Sequence, residues 1–155
     1  MSRAAPRRRA RELALQGLYQ RQVGGNEPAE IRAHWSDDPG YGDADREFLD
    51  ELWRGVNADP EALIGELSPH LDRRAAELSP VERAILMIGA WELLHRLDTP
   101  YRVVINEAVE LAKSYGGTDG HRFVNGVLDK LAARVRAPEI AAAAGGRKRG
   151  QSRFS

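Results

Sequence analysis

The sequence predicts an all-α protein, and three observations lead to this fold class. Apolar residues recur at three- and four-residue steps in almost every segment, whereas strand-like alternation of useful length is absent. Prolines and small polar residues stand where helices should begin, and glycine pairs stand where two helices should end. The 155 residues, of which 42% are hydrophobic, suffice for one domain or two small subdomains that share a core. We therefore expect about seven helices in one compact unit.

The amino-terminal half contains four of the predicted helices. The first begins at a proline and ends at Gly24 and Gly25. A short helix and a loop with the sequence SDDPGYGD follow, after which Asp43 or Asp45 can cap the third helix. The fourth is weaker, because Pro69 interrupts it. Their predicted spans are about residues 6–23, 28–35, 43–57 and 60–71.

The carboxy-terminal half contains the remaining three. The sequence SPVE places Ser79 as N-cap, Pro80 at the first position and Glu82 at the third, which is a capping box. The helix that it opens is apolar nearly all round and should form the centre of the core. The predicted spans are about residues 79–97, 100–116 and 119–136. The rest of the chain is expected to be a flexible basic tail.

The charges are unevenly distributed along a chain whose formal net charge is zero. The first eleven residues contain five arginines and no acid, and residues 147–153 contain four basic residues and no acid. Such basic ends are typical of nucleic-acid contact, although charged ends can also simply aid solubility. The basic residues at the two ends are Arg3, Arg7, Arg8, Arg9 and Arg11, and Arg147, Lys148, Arg149 and Arg153.

Composition also bears on compartment and on chemistry. The chain has no cysteine, which excludes a disulfide scaffold and agrees with a reducing cytosol. It has no secretory signal pattern, and its longest apolar run, residues 84–91, is far shorter than a membrane helix needs. Its four histidines are scattered, and it has no phosphate-binding glycine loop. We expect a soluble, cytoplasmic protein that is not an enzyme and has no catalytic residues, cofactor or metal.

The first helix carries the first candidate binding surface. Arginines crowd the end at which the helix dipole is positive, so they do not favour the helix itself. A helical projection places Arg7, Arg8 and Arg11 on one exposed arc, where they could bind several phosphates. The alternative is a solvated face that includes an Arg8–Glu12 pair.

The segment DGHRFVNG, residues 119–126, is the second candidate surface. Phe123 lies at the edge of the inward stripe of its helix, with Arg122 beyond it and Asn125 on the polar side. An aromatic residue beside an arginine at a helix start can stack on an unpaired base and contact its phosphate. The alternative is that Phe123 is simply a core residue.

Three stretches of the chain strongly resemble the NusB family of bacterial transcription antitermination factors. They are RRRARELALQGLYQ at 7–20, LSPVERAILMIGAWELLHRLDTPYRVVINEAVELAKSYGG at 78–117 and HRFVNGVLDKL at 121–131. The resemblance covers about residues 6–136. It implies two packed three-helix subdomains without catalytic activity in residues 1–137, leaving 138–155 as the flexible basic tail. It also implies binding of single-stranded boxA RNA together with NusE, a small-subunit ribosomal protein. The resulting complex is expected to associate with other Nus factors and RNA polymerase and to promote read-through on ribosomal RNA operons.

The resemblance assigns roles to individual residues. It places Arg7, Arg8, Arg11, Arg122, Phe123 and Asn125 on the RNA, and Tyr19 and Glu82 on NusE. Asp119 stands where the family keeps an acid near the RNA, and it should weaken binding by repulsion. Gly120 replaces a more usual serine, which removes one possible hydroxyl contact. Simple packing by Tyr19 and simple capping by Glu82 are the alternatives for the NusE surface.

Two other functional hypotheses remain open at the level of sequence. The same helical fold resembles the amino-terminal module of some RNA cytosine methyltransferases, which would require a separate catalytic subunit. The chain could also be a purely protein-binding module in which the arginines contact an acidic partner. RNA affinity that survives loss of the arginines would favour the latter.

Overall fold

The computed structural model describes residues 4–152, with side chains described for residues 4–145. This part of the chain is all-helical, as predicted, and each of the seven predicted helices occurs within a few residues of its expected bounds. The helices are α1 (Ala4–Gly24), α2 (Pro28–Ala33), α3 (Arg46–Ala58), α4 (Pro60–Leu67), α5 (Pro80–His95), α6 (Tyr101–Tyr115), α7 (Gly120–Val135) and α8 (Ala137–Ser152), together with short 3-10 helices at Trp35–Asp37, Tyr41–Asp43, Ser68–His70 and Ala75–Glu77.

Helix α5 is the centre of the molecule, as its apolar sequence predicts. It contacts α1, α3, α4, α6 and α7, and ten of its residues from Ala84 to Leu93 are buried. Helices α1–α3 form one group and α5–α7 the other, and the packing of α1 on α5 joins the two. Helices α6 and α7 follow each other through a short loop and pack closely side by side. Among residues 4–152, no helix has the length and apolarity needed to cross a membrane.

The N-caps that the sequence predicts are present. Asp45 accepts a hydrogen bond from the Phe48 N–H at 3.0 Å, and Ser79 accepts one from the Glu82 N–H at 3.1 Å. The reciprocal half of the predicted capping box is missing, because the Glu82 carboxylate makes no hydrogen bond to Ser79 among the described residues. That carboxylate instead lies near Gly120, at the start of α7.

Close approach of α3 to α5 depends on a glycine. A Cβ atom at Gly55 would lie 2.0 Å from Nε1 of Trp91, which is a buried residue. Any side chain at this position would therefore push α3 away from the central helix.

The carboxy-terminal segment, for which the sequence predicts a flexible basic tail, has a helical backbone in its described part. Its backbone continues as α8 from Ala137 to Ser152. The alanine run of residues 141–144 has high helix propensity, and Glu139 in the first turn suits the positive end of the helix dipole. Ile140 also packs against the core. The basic side chains of the predicted tail, Arg147, Lys148, Arg149 and Arg153, lie outside the described residues, as does Arg3.

Candidate nucleic-acid interface

Arg8 is the most exposed arginine of those at positions 7, 8, 9 and 11. Half of its side chain is accessible, and its Nε and Nη2 atoms donate to the two carboxylate oxygens of Glu107 in α6, both at 2.9 Å. These hydrogen bonds and the charge of Glu107 raise the pKa of Arg8. A guanidinium has five N–H donors, and the Nη1 edge of Arg8 is not used by Glu107. The pair therefore fixes Arg8 in place while leaving donors for a ligand.

Arg11 is buried, so the prediction that it shares an exposed arc with Arg8 is wrong. Only 3% of its side chain is accessible, and its Nε and Nη2 atoms donate to Glu92 of α5 at 2.9 and 2.7 Å. The projection failed because α1 is covered by α5 as well as by α2 and α3, which widens its buried face beyond the apolar stripe. Glu92, the acid within the buried apolar stretch of α5, was the sequence signal for a buried basic partner.

Arg7 is also more covered than the sequence predicts. About a fifth of its side chain is exposed, and its Nε lies 3.6 Å from Oδ2 of Asp45. Its guanidinium lies 5.3 Å from the ring centre of Phe48, a ring that also has Arg11 at 5.1 Å and Arg96 at 5.3 Å. Arg7 therefore contributes mainly to packing between α1 and α3.

The Arg8–Glu12 pair, which belonged to the alternative of a solvated face, does not form among the described residues. Glu12 pairs instead with Arg9, which donates to it at 2.8 Å and to Asp38 at 3.0 Å. Arg8 thus forms no ion pair with an acid of its own helix among the described residues, and its carboxylate partner comes from α6.

The predicted residues at the start of α7 lie on two flanks of that helix. Arg122 is highly exposed, with its Nε 3.8 Å from Oδ1 of Asp119. Phe123 is partly buried, with the guanidinium of Arg73 over its ring at 4.2 Å. Asn125 is exposed and faces α6. Residues two positions apart on a helix point in nearly opposite directions, so the structure does not bring Phe123 and Asn125 together.

Arg73 is a candidate contact residue that the sequence did not indicate. It belongs to the short connection between two 3-10 helices, where no periodic pattern predicts which element it will contact. The Arg73 side chain is more than a third exposed and covers Phe123. The pKa of Arg73 is raised, chiefly by its hydrogen bond to Asp72 and to a smaller extent by the nearby charge of Glu82. An exposed arginine stacked on an aromatic ring is a surface on which a base can stack.

Asp119 has the left-handed backbone conformation, with φ of 64°. Its side chain makes no capping hydrogen bond to α7, and it is exposed beside Arg122. The carboxylate thus partly neutralises the arginine that is predicted to contact phosphate. The neighbouring Gly120 has room for a side chain, since a Cβ there would lie 3.6 Å from the Glu82 carboxylate.

The two residues predicted to bind a protein partner lie near each other. Tyr19 is 43% exposed and lines a cleft with Tyr115 of α6 and with Val81, the neighbour of Glu82. The Tyr115 hydroxyl, itself at the surface, donates to Glu12 at 3.1 Å. The exposed rings of Tyr19 and Tyr115 lie near the Glu82 carboxylate, which makes no capping hydrogen bond among the described residues. Such a surface is suited to contact with a protein.

Comparison with known proteins gives consistent results at the level of sequence. The model of the NusB family matches residues 8–133. The transcription antitermination protein NusB of Ralstonia nicotianae is 58% identical over 136 residues, which are 88% of each chain. The protein of the same description from Azoarcus sp. strain BH72 is 58% identical over 144 residues, which are 92% of this chain and 93% of that one.

Solved structures agree with this result. T. maritima NusB superimposes with a TM-score of 0.73 and 30% sequence identity, covering 83% of this chain and 92% of that one. A crystal structure of the antitermination factors NusB and NusE in complex with dsRNA has a chain with a TM-score of 0.69 and 26% identity, covering 84% of this chain and 97% of that one. By its helical architecture and by its similarity along most of its length, the chain belongs to the NusB family.

Proposed function

We propose that this protein is a transcription antitermination factor that binds single-stranded boxA-type RNA together with NusE and promotes read-through by RNA polymerase, notably on ribosomal RNA operons. It acts in the cytoplasm, with other Nus factors, as a binding protein without a catalytic step. Family membership supports this function, because the similar proteins are antitermination factors and one solved NusB is in complex with NusE and RNA.

The observation that best supports RNA contact is the arrangement of Arg8. An arginine that is half exposed, fixed by Glu107 and left with free donors is already oriented for a phosphate. Arg122 supplies a second exposed cation, and Phe123 with Arg73 supplies a stacking surface. We assign phosphate contact to Arg8 and Arg122 and base contact to Phe123 and Asn125. Arg7 and Arg11 support this surface from within the fold.

The test of this function is fluorescence anisotropy of a boxA-type single-stranded RNA with the protein, with and without NusE, over a series of salt concentrations. We expect NusE to tighten binding, and a scrambled RNA to bind poorly. If four to six phosphates are engaged, log K falls with log salt at a slope of roughly −3 to −4. Absence of binding in the presence of NusE would contradict the proposal.

Replacing Arg8 with alanine is expected to weaken RNA binding by about tenfold, because a charge-assisted contact to phosphate is lost. The slope of log K against log salt should become shallower by about 0.7, the value for one phosphate of a single strand. Arg54→Ala is the matched control, since Arg54 is an exposed arginine beside the cleft between α2 and α3. Equal losses in the two variants would indicate that the effect of Arg8 is one of net charge alone.

The NusE surface is tested by Tyr19→Ala and Glu82→Lys. Both substitutions should lower the affinity for NusE by about tenfold or more, because an exposed aromatic anchor or a free carboxylate is lost from the surface. In Tyr19→Ala the affinity of the protein alone for RNA should change little, whereas Glu82→Lys adds positive charge near Arg73 and Gly120 and should not weaken it. Isothermal titration with NusE measures the effect, and Tyr115→Phe, which retains the ring, is the control. A loss of thermal stability with unchanged NusE affinity would assign Tyr19 and Glu82 to the fold instead.

A further inference from the structure

A polar cleft between α6 and α7 lies beside the proposed RNA surface. Its walls are Arg102 and Asn106, four residues apart on α6, and Asn125 and Asp129, four residues apart on α7. Because residues at this spacing share a helix face, the packing of the two helices brings two amides, a guanidinium and a carboxylate around one space. Tyr101 and Ile105 complete the lining.

The four polar side chains of the cleft are exposed and free. Within the described part of the chain, none of them forms a side-chain hydrogen bond or an ion pair, so Arg102 and Asp129 are not paired with each other. The guanidinium of Arg102 lies 5.5 Å from the ring centre of Tyr101. This contrasts with α1, where Arg7, Arg8, Arg9 and Arg11 each have an acidic partner.

The chemistry of the cleft selects a class of ligand. One guanidinium and one carboxylate cancel in charge, so the cleft suits neither a bare phosphate nor a divalent cation. Both donors and acceptors are present, with a tyrosine ring and a guanidinium plane against which a flat molecule can stack. A nucleobase has these properties, and an unpaired base can enter a cleft of this kind.

The acidic group narrows the choice of base. A carboxylate only accepts hydrogen bonds, and in base recognition it accepts from the exocyclic amino group of cytosine, while asparagine pairs with the amino edge of adenine. Uracil presents a carbonyl oxygen at the corresponding position and would face Asp129 with a second acceptor.

We propose that the cleft formed by Arg102, Asn106, Asn125 and Asp129 binds one unpaired base with an exocyclic amino group, cytosine or adenine, of the bound RNA. This inference rests on the proposed RNA-binding function and extends it. Asn125 links the cleft to the phosphate-contacting surface, because Arg122 lies three residues before it on the same side of α7. Asn106, Asp129 and Arg102 are therefore positions that determine specificity.

The experiment compares binding of the cytidine and uridine dodecamers C12 and U12 to the full chain by fluorescence anisotropy at low salt. These pyrimidine oligomers differ at the base edge and have the same backbone charge. The unmodified protein should prefer C12 by about fivefold or more, as expected for one well-made base contact. In Asp129→Asn this preference should fall to about twofold or less, because the amide can donate to the uracil carbonyl.

A control separates base recognition from charge. Glu110→Gln removes one negative charge from the exposed face of α6 outside the cleft lining, and it should strengthen binding of both oligomers equally. Equal binding of C12 and U12 by the unmodified protein would overturn the inference, as would an Asp129→Asn variant that strengthens both as Glu110→Gln does. If neither these oligomers nor boxA-type RNA with NusE binds, the proposed function fails and the inference fails with it. If boxA-type RNA binds without the preference, only the inference fails.

Discussion

Glu92→Ala is expected to lower the free energy of unfolding by about 3–5 kcal/mol, because it leaves the guanidinium of Arg11 buried without its main partner. Both side chains are at most 3% exposed, and two hydrogen bonds of 2.7 and 2.9 Å join them. Glu107 is the nearest remaining acid, and its carboxylate is 3.9 Å from Arg11. Urea denaturation followed by circular dichroism measures the effect.

Two further variants show whether the loss comes from the unpaired charge. In the double variant Arg11→Met, Glu92→Met, both charges are removed and apolar volume is retained, so most of the stability should return. Glu61→Ala breaks an ion pair to Arg83 that is mostly exposed on the Glu61 side and should cost less than about 1 kcal/mol. A single variant at Glu92 as stable as the double variant would show that the unpaired charge of Arg11 is not the cause of the loss.

Arg136→Met should be the second most damaging substitution, lowering the free energy of unfolding by about 3 kcal/mol or more. The buried guanidinium donates to four backbone carbonyls at the end of α5 and in the connection that follows it. The acceptors are the oxygens of Glu92, Leu93, Arg96 and Thr99, at 3.2, 2.7, 2.9 and 3.0 Å. Methionine fills similar space but donates to none of these oxygens.

The matched control is Arg134→Met, in the last turn of α7 and two residues before Arg136. Arg134 is half exposed, and within the described residues its one ion pair is with Glu66 in α4, so its loss should cost less than about 1 kcal/mol. The loss of stability in Arg136→Lys should lie between those of the two variants. A lysine keeps the charge, but its single ammonium group cannot donate to all four carbonyls as the planar guanidinium does. Thermal unfolding by calorimetry measures all three, and equal values for positions 134 and 136 would exclude a capping role for Arg136.

The helices were predictable because their signals are local. Apolar periodicity located seven of them, and the caps at Asp45 and Ser79 have the expected hydrogen bonds. The burial of Arg11 was not predictable from α1 alone. A helical projection shows the direction in which a side chain points, but it does not show which other helix will cover that side chain. The pairing of Arg73 with Phe123 joins a loop to a distant helix, and no periodic pattern carries that information.

The candidate site was predictable only in part for the same reason. Arg8 is half exposed and Arg122 mostly exposed, as expected, because their sides of α1 and α7 lie at the surface of the described residues. The cleft that contains Asn125 is built equally by α6, and its acid and arginine come from positions that look like ordinary solvated residues in the sequence. Predicting which residues of two helices come together requires the register in which the helices pack, and the sequence alone does not give this register.

The position of Glu107 between two arginines has a consequence for the speed of RNA binding. Its carboxylate faces the half-exposed Arg8 and also lies 3.9 Å from the buried Arg11. If Arg8 contacts a phosphate as proposed, Glu107 still has Arg11 beside it, so its carboxylate is not left without a cation. We therefore expect that the cluster of Arg8, Glu107 and Arg11 need not rearrange before the RNA binds. Association should therefore be limited by diffusion and electrostatic attraction, and it should slow steeply as salt is added.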